Sequence, residues 1–413
     1  MSVIFVGFIY PTGKIDELKE MGSSIDFAAE TFQYSLLQGL CKYHPDLKVI
    51  TAPNISAFPQ IKKLVFSSSE FFLPFSGCRH FFTGFLNIPG IKHVSKYLRV
   101  RKAIRESLDR NSNNTIIVYG VHSPFLMALC GINRCFYKSC LIVPDLPEFM
   151  SSNSNLFYLL GKKIDKWFIR IGLKMIDSFA LFSPYMKDRI NIGDKPWTQI
   201  EGIFCDDVYI EKVEKDKHKT ILYSGSLDKR YGIMDLLEAF NRIEDSKYRL
   251  WICGGGDALE EIMKRQQDDS RIQYLGLLSK EKVRTLQKKA TILINPRHSA
   301  DEYTKYSFPS KTMEYMASGT PTLMAHLASI PREYESHLFF FDDESIEGMK
   351  NKIIEVCEKP QWELDEFGKF ASEFILREKN EKIQAKKIVD ILQGLHLFPN
   401  DKVGDCNQVN SML

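Results

Sequence analysis

The sequence predicts an α/β protein built from two doubly wound domains, and three observations carry that reading. Short apolar runs alternate with longer amphipathic segments along the whole chain. The runs are rich in β-branched and aromatic residues and stop at Gly, Ser or Pro, the pattern of parallel strands buried on both faces. The chain has 413 residues, more than one ordinary core supports, so two domains are expected.

In the first half the strand candidates are VIFVGF, LKVITA, TIIVYGV, SCLIVP and SFALFS. In the second half they are KTILYSGS, YRLWICGG, IQYLG, ATILINP, TPTLMA and HLFFF. Amphipathic segments between them, such as Ile233 to Ile243 and Ser279 to Lys289, complete a repeating βα pattern. The turn-rich, charged stretch over 193–219 marks the boundary, which places domains at 1–200 and 201–380. The last long helical pattern, Trp362 to Leu395, reads as broken, and residues 381–398 as a helix crossing back to the first domain. The polar tail over 399–413 reads as disordered.

Composition narrows the function classes. A 44% hydrophobic and 26% charged chain with a net charge of +3 is a soluble globular protein, with no charge excess calling for nucleic acid. Nine cysteines without a CxxC pair read as reduced thiols of a cytoplasmic protein. Cys130, Cys135 and Cys140 are evenly spaced but lack accompanying His or acidic ligands, so no metal site is expected there. MSVIFVGFIY has neither a charged leader nor a small-residue cleavage site and reads as a first strand. No apolar run approaches the roughly 18 residues that a spanning helix needs, so membrane contact would be peripheral.

Four features of the second half fall at the carboxyl ends of the expected strands, where open α/β sheets bind ligands. They are YSGSLDKRYGIMDLLEAF with Gly225, Ser226 and Arg230; WICGGGDALEEI with Gly254, Gly255 and Gly256; IQYLGLLSKEKV with Leu275; and YSFPSKTMEYMASGTP. A nucleoside diphosphate suits this set. Glycines let a backbone approach a ligand closely, and a helix start offers unpaired N–H groups and about half a positive charge. Ser307, Phe308, Pro309, Ser310 and Lys311 would form such a start, with Ser310 and Lys311 on phosphate oxygens. Glu314, one turn on and directed inward, would accept from the ribose hydroxyls. Arg230 and Arg297 would add positive charge.

Across roughly Lys219 to Tyr334 these residues resemble the retaining family 4 glycosyltransferases of the GT-B fold, in which two Rossmann-like domains face a central cleft. That family's signature has two glutamates separated by seven residues, followed by an A-x-G-x-P turn. Glu314 matches the second glutamate, and Ala317-Ser318-Gly319-Thr320-Pro321 matches the turn. Tyr306 stands where the first glutamate is usual, and Ser226 and Tyr231 stand where the family's loop carries Arg and Lys. The resemblance implies a UDP- or GDP-sugar donor, transfer with retention to a glycan or lipid-linked acceptor of capsule, exopolysaccharide or lipopolysaccharide type, and no obligatory metal or other cofactor. A nucleotide-sugar 2-epimerase of the same fold and a catalytically silent sugar-nucleotide-binding subunit remain alternatives.

The first half would supply the acceptor side. His122 follows a strand in VYGVHSPF and resembles the family's cleft histidine, which contacts the donor sugar. Asp145 and Glu148 follow the next strand in LIVPDLPEFM, where Asp145 could orient an acceptor hydroxyl or take its proton. Gly7 ends the first strand, and Ser23 and Ser24 after Gly22 are expected to cap the following helix. Two stretches mix aromatic and basic residues, KKLVFSSSEFFLPFSGCRHFFTGFLNIPGIKHVSKYLRVRK and NLFYLLGKKIDKWFIRIGLKMI. Both read as faces for an anionic membrane surface, on the inner side of the plasma membrane.

Overall fold

A computed structural model describes residues 2–11, 13–23, 25–109, 111–149, 156–205 and 213–397. The chain separates into two compact units. Met1–Leu181, Met186–Ile200 and Glu381–Leu413 make the first, and Phe182–Tyr185 with Glu201–Asn380 the second. The expected tail over 399–413 lies outside the described residues.

The first unit contains strands β1 (Ser2–Gly7), β2 (Lys48–Thr51), β3 (Val65–Phe66), β4 (Ser69–Phe71), β5 (His80–Phe82), β6 (Phe85–Leu86), β7 (Asn114–Tyr119), β8 (Tyr137–Val143), β9 (Ser178–Leu181) and β10 (Trp197–Gln199). Eight of them form one sheet in the order β10-β9-β8-β7-β1-β2-β5-β4, parallel except where β4 runs against β5. β3 and β6 make a separate antiparallel pair. Ile4 is in register with Ile116, and Ile117 with Cys140, so the apolar runs stack into one buried layer. The winding reverses between β1 and β7, because the chain runs out to β2 on one side before returning to β7 on the other. β10 falls within the stretch read as a domain linker: Trp197–Gln199 extends the first sheet beside β9.

The long aromatic and basic stretch is not the continuous surface face that its composition suggests. Phe66, Phe71, Phe82 and Phe85 are buried, and so are Lys92 and Lys96 on the helix Ile91–Ser107. Lys96 Nζ donates to the carbonyls of Ala52 at 3.1 Å and Pro53 at 2.6 Å, and Lys92 Nζ donates to Ile55 O. Both ammoniums also lie over the Phe85 ring. Buried cations need such partners, and here they hold the loop after β2. The expected serine cap is corrected too. The helix Phe27–Tyr43 is capped by Asp26, whose carboxylate accepts from Ala29 N at 3.0 Å. Ser23 is buried before it, and Ser24 lies outside the described residues.

The second unit contains β11 (Lys219–Ser224), β12 (Tyr248–Cys253), β13 (Ile272–Tyr274), β14 (Ile292–Asn295), β15 (Thr322–Met324) and β16 (Phe339–Phe340). All six are parallel, in the order β13-β12-β11-β14-β15-β16. This is the doubly wound order, with its switch point between β11 and β14. Helices Ile233–Asn241, Ser310–Ala317, Ile346–Cys357 and Gln361–Glu378 cover the sheet with their buried residues. None of the eight described cysteines of the chain is in a disulfide.

The last helical pattern is two helices, Gln361–Glu378 and Glu381–Leu397, parted at Lys379 and Asn380. The second packs on Phe27–Tyr43 of the first unit, and Lys42 pairs with Glu381. At the break, Phe204 N donates to Lys379 O at 2.9 Å. Lys379 is buried beneath the rings of Tyr334 and Phe374 and pairs with buried Glu201 at 3.5 Å and with Glu333. Lys379→Met strips the buried Glu201 of that ammonium, which costs about 3–5 kcal/mol for a buried pair broken on one side. A denaturant midpoint equal to wild type in that variant contradicts this role.

At the carboxyl end of β1, Glu30 accepts from Tyr10 N through both carboxylate oxygens, at 3.1 and 3.2 Å. Burial pushes its carboxyl up to about 7. The folded protein therefore binds a proton that the unfolded chain releases near pH ~4.3, and stability is lost as pH rises through about 7. Glu30→Gln keeps an acceptor for Tyr10 N and removes the titration. Its stability relative to wild type should be about 1–3 kcal/mol higher near pH ~8 than near pH ~4.5, measured by urea unfolding. A difference independent of pH contradicts the account.

Candidate functional site

In the second unit the switch point is built from loops that touch through missing side chains. Gly232 has φ 78°, and a Cβ there would stand 1.9 Å from Pro296 O. Only glycine both adopts that backbone and lets the loop after β11 close on the loop after β14. A Cβ on Gly254 would stand 1.9 Å from Gly225 O, and one on Gly256 would stand 2.3 Å from Leu227 C. Gly254 and Gly256, read as openings for a ligand, also leave the room that neighbouring backbone takes up. Gly225 N donates to Cys253 O, Leu227 N to Gly255 O and Ala258 N to Leu227 O, which extends the β11–β12 pairing into the loops.

Three residues stack at this junction. The guanidinium carbons of Arg297 and Arg230 lie 4.4 and 4.7 Å from the Tyr231 ring centroid. Tyr303 meets Tyr231 edge-on at 5.9 Å and donates its hydroxyl to Arg230 O at 3.2 Å. Burial pushes the Tyr303 phenol up to about 12 despite the opposing charge of Arg297. Ser226 donates its hydroxyl to Asp228 at 2.7 Å, and its carbonyl accepts from the Tyr223 hydroxyl at 2.5 Å. Beside the stack, His298 bonds to Asp235 at 2.6 Å.

The helix Ser310–Ala317 starts after Pro309 without a side-chain cap. Its register comes from Tyr315, whose buried hydroxyl donates to Ser224 O at 2.9 Å and accepts from Ser224 N at 2.8 Å. That contact ties the helix to the end of β11. Thr312, Met313, Tyr315 and Met316 face the core, while Ser310 and Lys311 are exposed at the first turn. Glu314 is not directed inward as expected: it is half-buried and accepts from Lys311 Nζ at 2.8 Å. Two positions in one turn of an exposed face attract each other, which explains the departure. Phe308 and Pro309 are buried, with Phe308 against Tyr334, and Ser307 O accepts from Ser329. Leu275 packs against the cluster of Leu222, Cys253, Ala290, Leu293 and Tyr315.

The first unit has its own switch point between β1 and β7, and His122 lies there. Its ring stacks on Phe8 at 5.1 Å and Phe125 at 4.9 Å, with His93 at 5.7 Å. Burial, then the charge of Lys96, His93 and Lys92, holds its pKa well below the usual range, so the imidazole is neutral. Asp145 is exposed after β8, yet desolvation of its carboxyl, then the charge of Asp26, raises its pKa. Glu148 pairs with Arg189 at 3.6 Å. Gly7 allows Gln33 to close on the end of β1, where its side-chain oxygen accepts from Phe8 N at 2.8 Å.

Tyr223 and Tyr303 are the site residues that sequence reading missed. Tyr303 is 72 positions from Tyr231, in the short 3-10 turn Glu302–Lys305, and no periodicity connects them. Tyr223 reads as one more core residue of its strand.

Residues 207–374 match the family model "Glycosyl transferases group 1". No curated protein sequence gives a significant match. Among solved structures, Anabaena Alr3699/HepE in complex with UDP is similar at TM-score 0.64 and 12% identity, over 96% of this chain and 100% of that one. The apo lipopolysaccharide outer core galactosyltransferase WaaB gives 0.62 and 14%, over 95% and 99%. A glycosyltransferase from Rickettsia africae gives 0.64 and 12%, over 96% and 98%. The chain therefore has the GT-B fold of two Rossmann-like domains, and the segment that resembles the group 1 glycosyl transferases lies in its second half.

Proposed function

We propose that the chain is a retaining glycosyltransferase of the family 4 type, moving a sugar from a UDP- or GDP-sugar to a glycan or lipid-linked acceptor. The observation that carries this reading is the second unit's switch point. There the uncapped start of the helix Ser310–Ala317, the half-buried Glu314 and the paired guanidiniums of Arg230 and Arg297 all belong to loops and turns at strand ends within the segment that the family model matches. A solved neighbour with this fold holds UDP and glucose, which supports a nucleotide-sugar donor.

In this reading Arg297, Arg230 and the N–H groups of Ser310 and Lys311 neutralise the diphosphate as it leaves. Glu314 accepts from the ribose hydroxyls, exchanging or sharing its bond to Lys311. Gly225, Ser226, Gly254, Gly255 and Gly256 offer backbone and hydroxyl groups along the diphosphate, and Leu275 helps shape the base side. The neutral His122 contacts the donor sugar, and Asp145, with its raised pKa, orients the acceptor hydroxyl.

A peripheral membrane contact on the cytoplasmic side belongs to the same proposal. Ile91, Val94 and Leu98 are exposed along the helix Ile91–Ser107, next to exposed Arg99 and Lys102. Ile164 and Trp167 are exposed on the helix Leu156–Leu173, among exposed Lys163, Lys166 and Arg170. Apolar side chains framed by cations suit an anionic bilayer surface. No helix among the described residues is long and apolar enough to cross a membrane.

The silent-subunit reading draws on Tyr306 and on Ser226, which bonds to Asp228. One set of measurements separates the readings. Wild type should bind UDP or GDP and turn over the matching nucleotide sugar. Glu314→Ala should weaken that diphosphate roughly ten- to a hundredfold, the loss expected when charge-assisted hydrogen bonds of about 1.5–3 kcal/mol each are removed. His122→Ala should lower turnover by about 10²–10⁴ while diphosphate affinity stays within about threefold. Firm nucleotide binding without turnover on any donor would favour the silent subunit. Product formed without acceptor would favour an epimerase.

A further inference from the structure

Two guanidiniums on one aromatic ring is an arrangement that needs a reason. Arg230 and Arg297 come from different loops, one after β11 and one after β14, and both place their charge against Tyr231. Like charges repel, so the ring's negative face and a neighbouring anion are what make the pair tolerable. Arg230 is partly balanced, with Asp228 at 3.9 Å and a hydrogen bond from its Nη2 to the Tyr231 hydroxyl at 2.8 Å. For Arg297, no carboxylate stands within ion-pair distance among the described residues. Lys311 is engaged with Glu314. The unbalanced charge of the site is therefore on Arg297, at the switch point, where the fold presents ligands.

Resting on the functional reading above, we propose that Tyr231 is a positioning residue: its ring holds Arg297 and Arg230 as a two-guanidinium clamp for the diphosphate of the donor. The geometry explains how the chain does without cations at Ser226 and Tyr231 themselves. A planar ring fixes two flexible side chains at once, so less conformational freedom is lost when the anion arrives. Tyr303 holds the clamp from the edge, with its hydroxyl on Arg230 O. Gly232, the residue after Tyr231, brings the two loops within reach.

The test is calorimetric titration of the whole chain with UDP, GDP, uridine, guanosine and inorganic pyrophosphate. Tyr231→Leu should weaken the bound nucleoside diphosphate and pyrophosphate at least tenfold and leave the nucleoside within about threefold. Tyr231→Phe, which keeps the ring face, should stay within about threefold of wild type for every ligand. Arg297→Lys, which keeps the charge and loses the plane, should behave like Tyr231→Leu, and it serves if the leucine variant does not fold. Diphosphate affinity unchanged in Tyr231→Leu or Arg297→Lys overturns the clamp, as does a loss shared equally by nucleoside and diphosphate. Wild type that binds neither diphosphate nor pyrophosphate overturns the donor reading itself, and the clamp with it.

Discussion

The approach of two loops at Gly232 is the constraint on which the rest of the second unit depends. β11 and β14 are paired over only Ile221↔Ile292 and Leu222↔Leu293, so the strands alone do little to align the loops at their carboxyl ends. The alignment comes from the bare Cα of Gly232 against Pro296 O, with a positive φ that a side chain would strain. That contact sets the start of the helix Ile233–Asn241, the position of Tyr231 and the reach of Arg297. Gly254 and Gly256 repeat the device one strand over, where the loop after β12 closes on Gly225 and Leu227. Loop stacked on loop makes a rigid rim at the carboxyl end of the sheet, and rigid rims are where preorganised charge is effective.

The first unit arrives at a comparable place by different means. Its switch point, between β1 and β7, is filled by the rings of Phe8, His122 and Phe125. Cations are present but turned inward: Lys92 and Lys96 hold carbonyls of the loop after β2, and through their charge they help keep His122 neutral. One unit thus offers exposed cations beside a helix start, and the other a neutral imidazole and a carboxyl of raised pKa.

Much of this was legible in the sequence because it depends on local pattern. The strands carrying the switch points are runs of buried residues that end in Gly, Ser or Asn, and their spacing gives the doubly wound order. The helix at Ser310 and the exposed Lys311 are readable in SFPSK. Features that were not legible depend on partners far apart in the chain. Lys92 and Lys96 look like solvated cations until the loop after β2 supplies carbonyls. Phe66 and Phe85 look like surface aromatics until β3 pairs with β6. Glu314 reads as inward, one helical turn beyond Lys311, but the pairing of the two side chains is the nearer attraction. Tyr231 reads as a loss of charge, and the ring's contact with two arginines is visible only in three dimensions.

The central claim is that the second unit holds the donor at its switch point, and hydrogen exchange with and without UDP or GDP tests it most directly. The account predicts slowed exchange over residues 225–232, 254–256, 296–298 and 310–314, with the second unit's outer strand β16 unchanged. Protection confined to the first unit, for example around Lys195, Trp197 and Lys387, which line a cavity there, would contradict it.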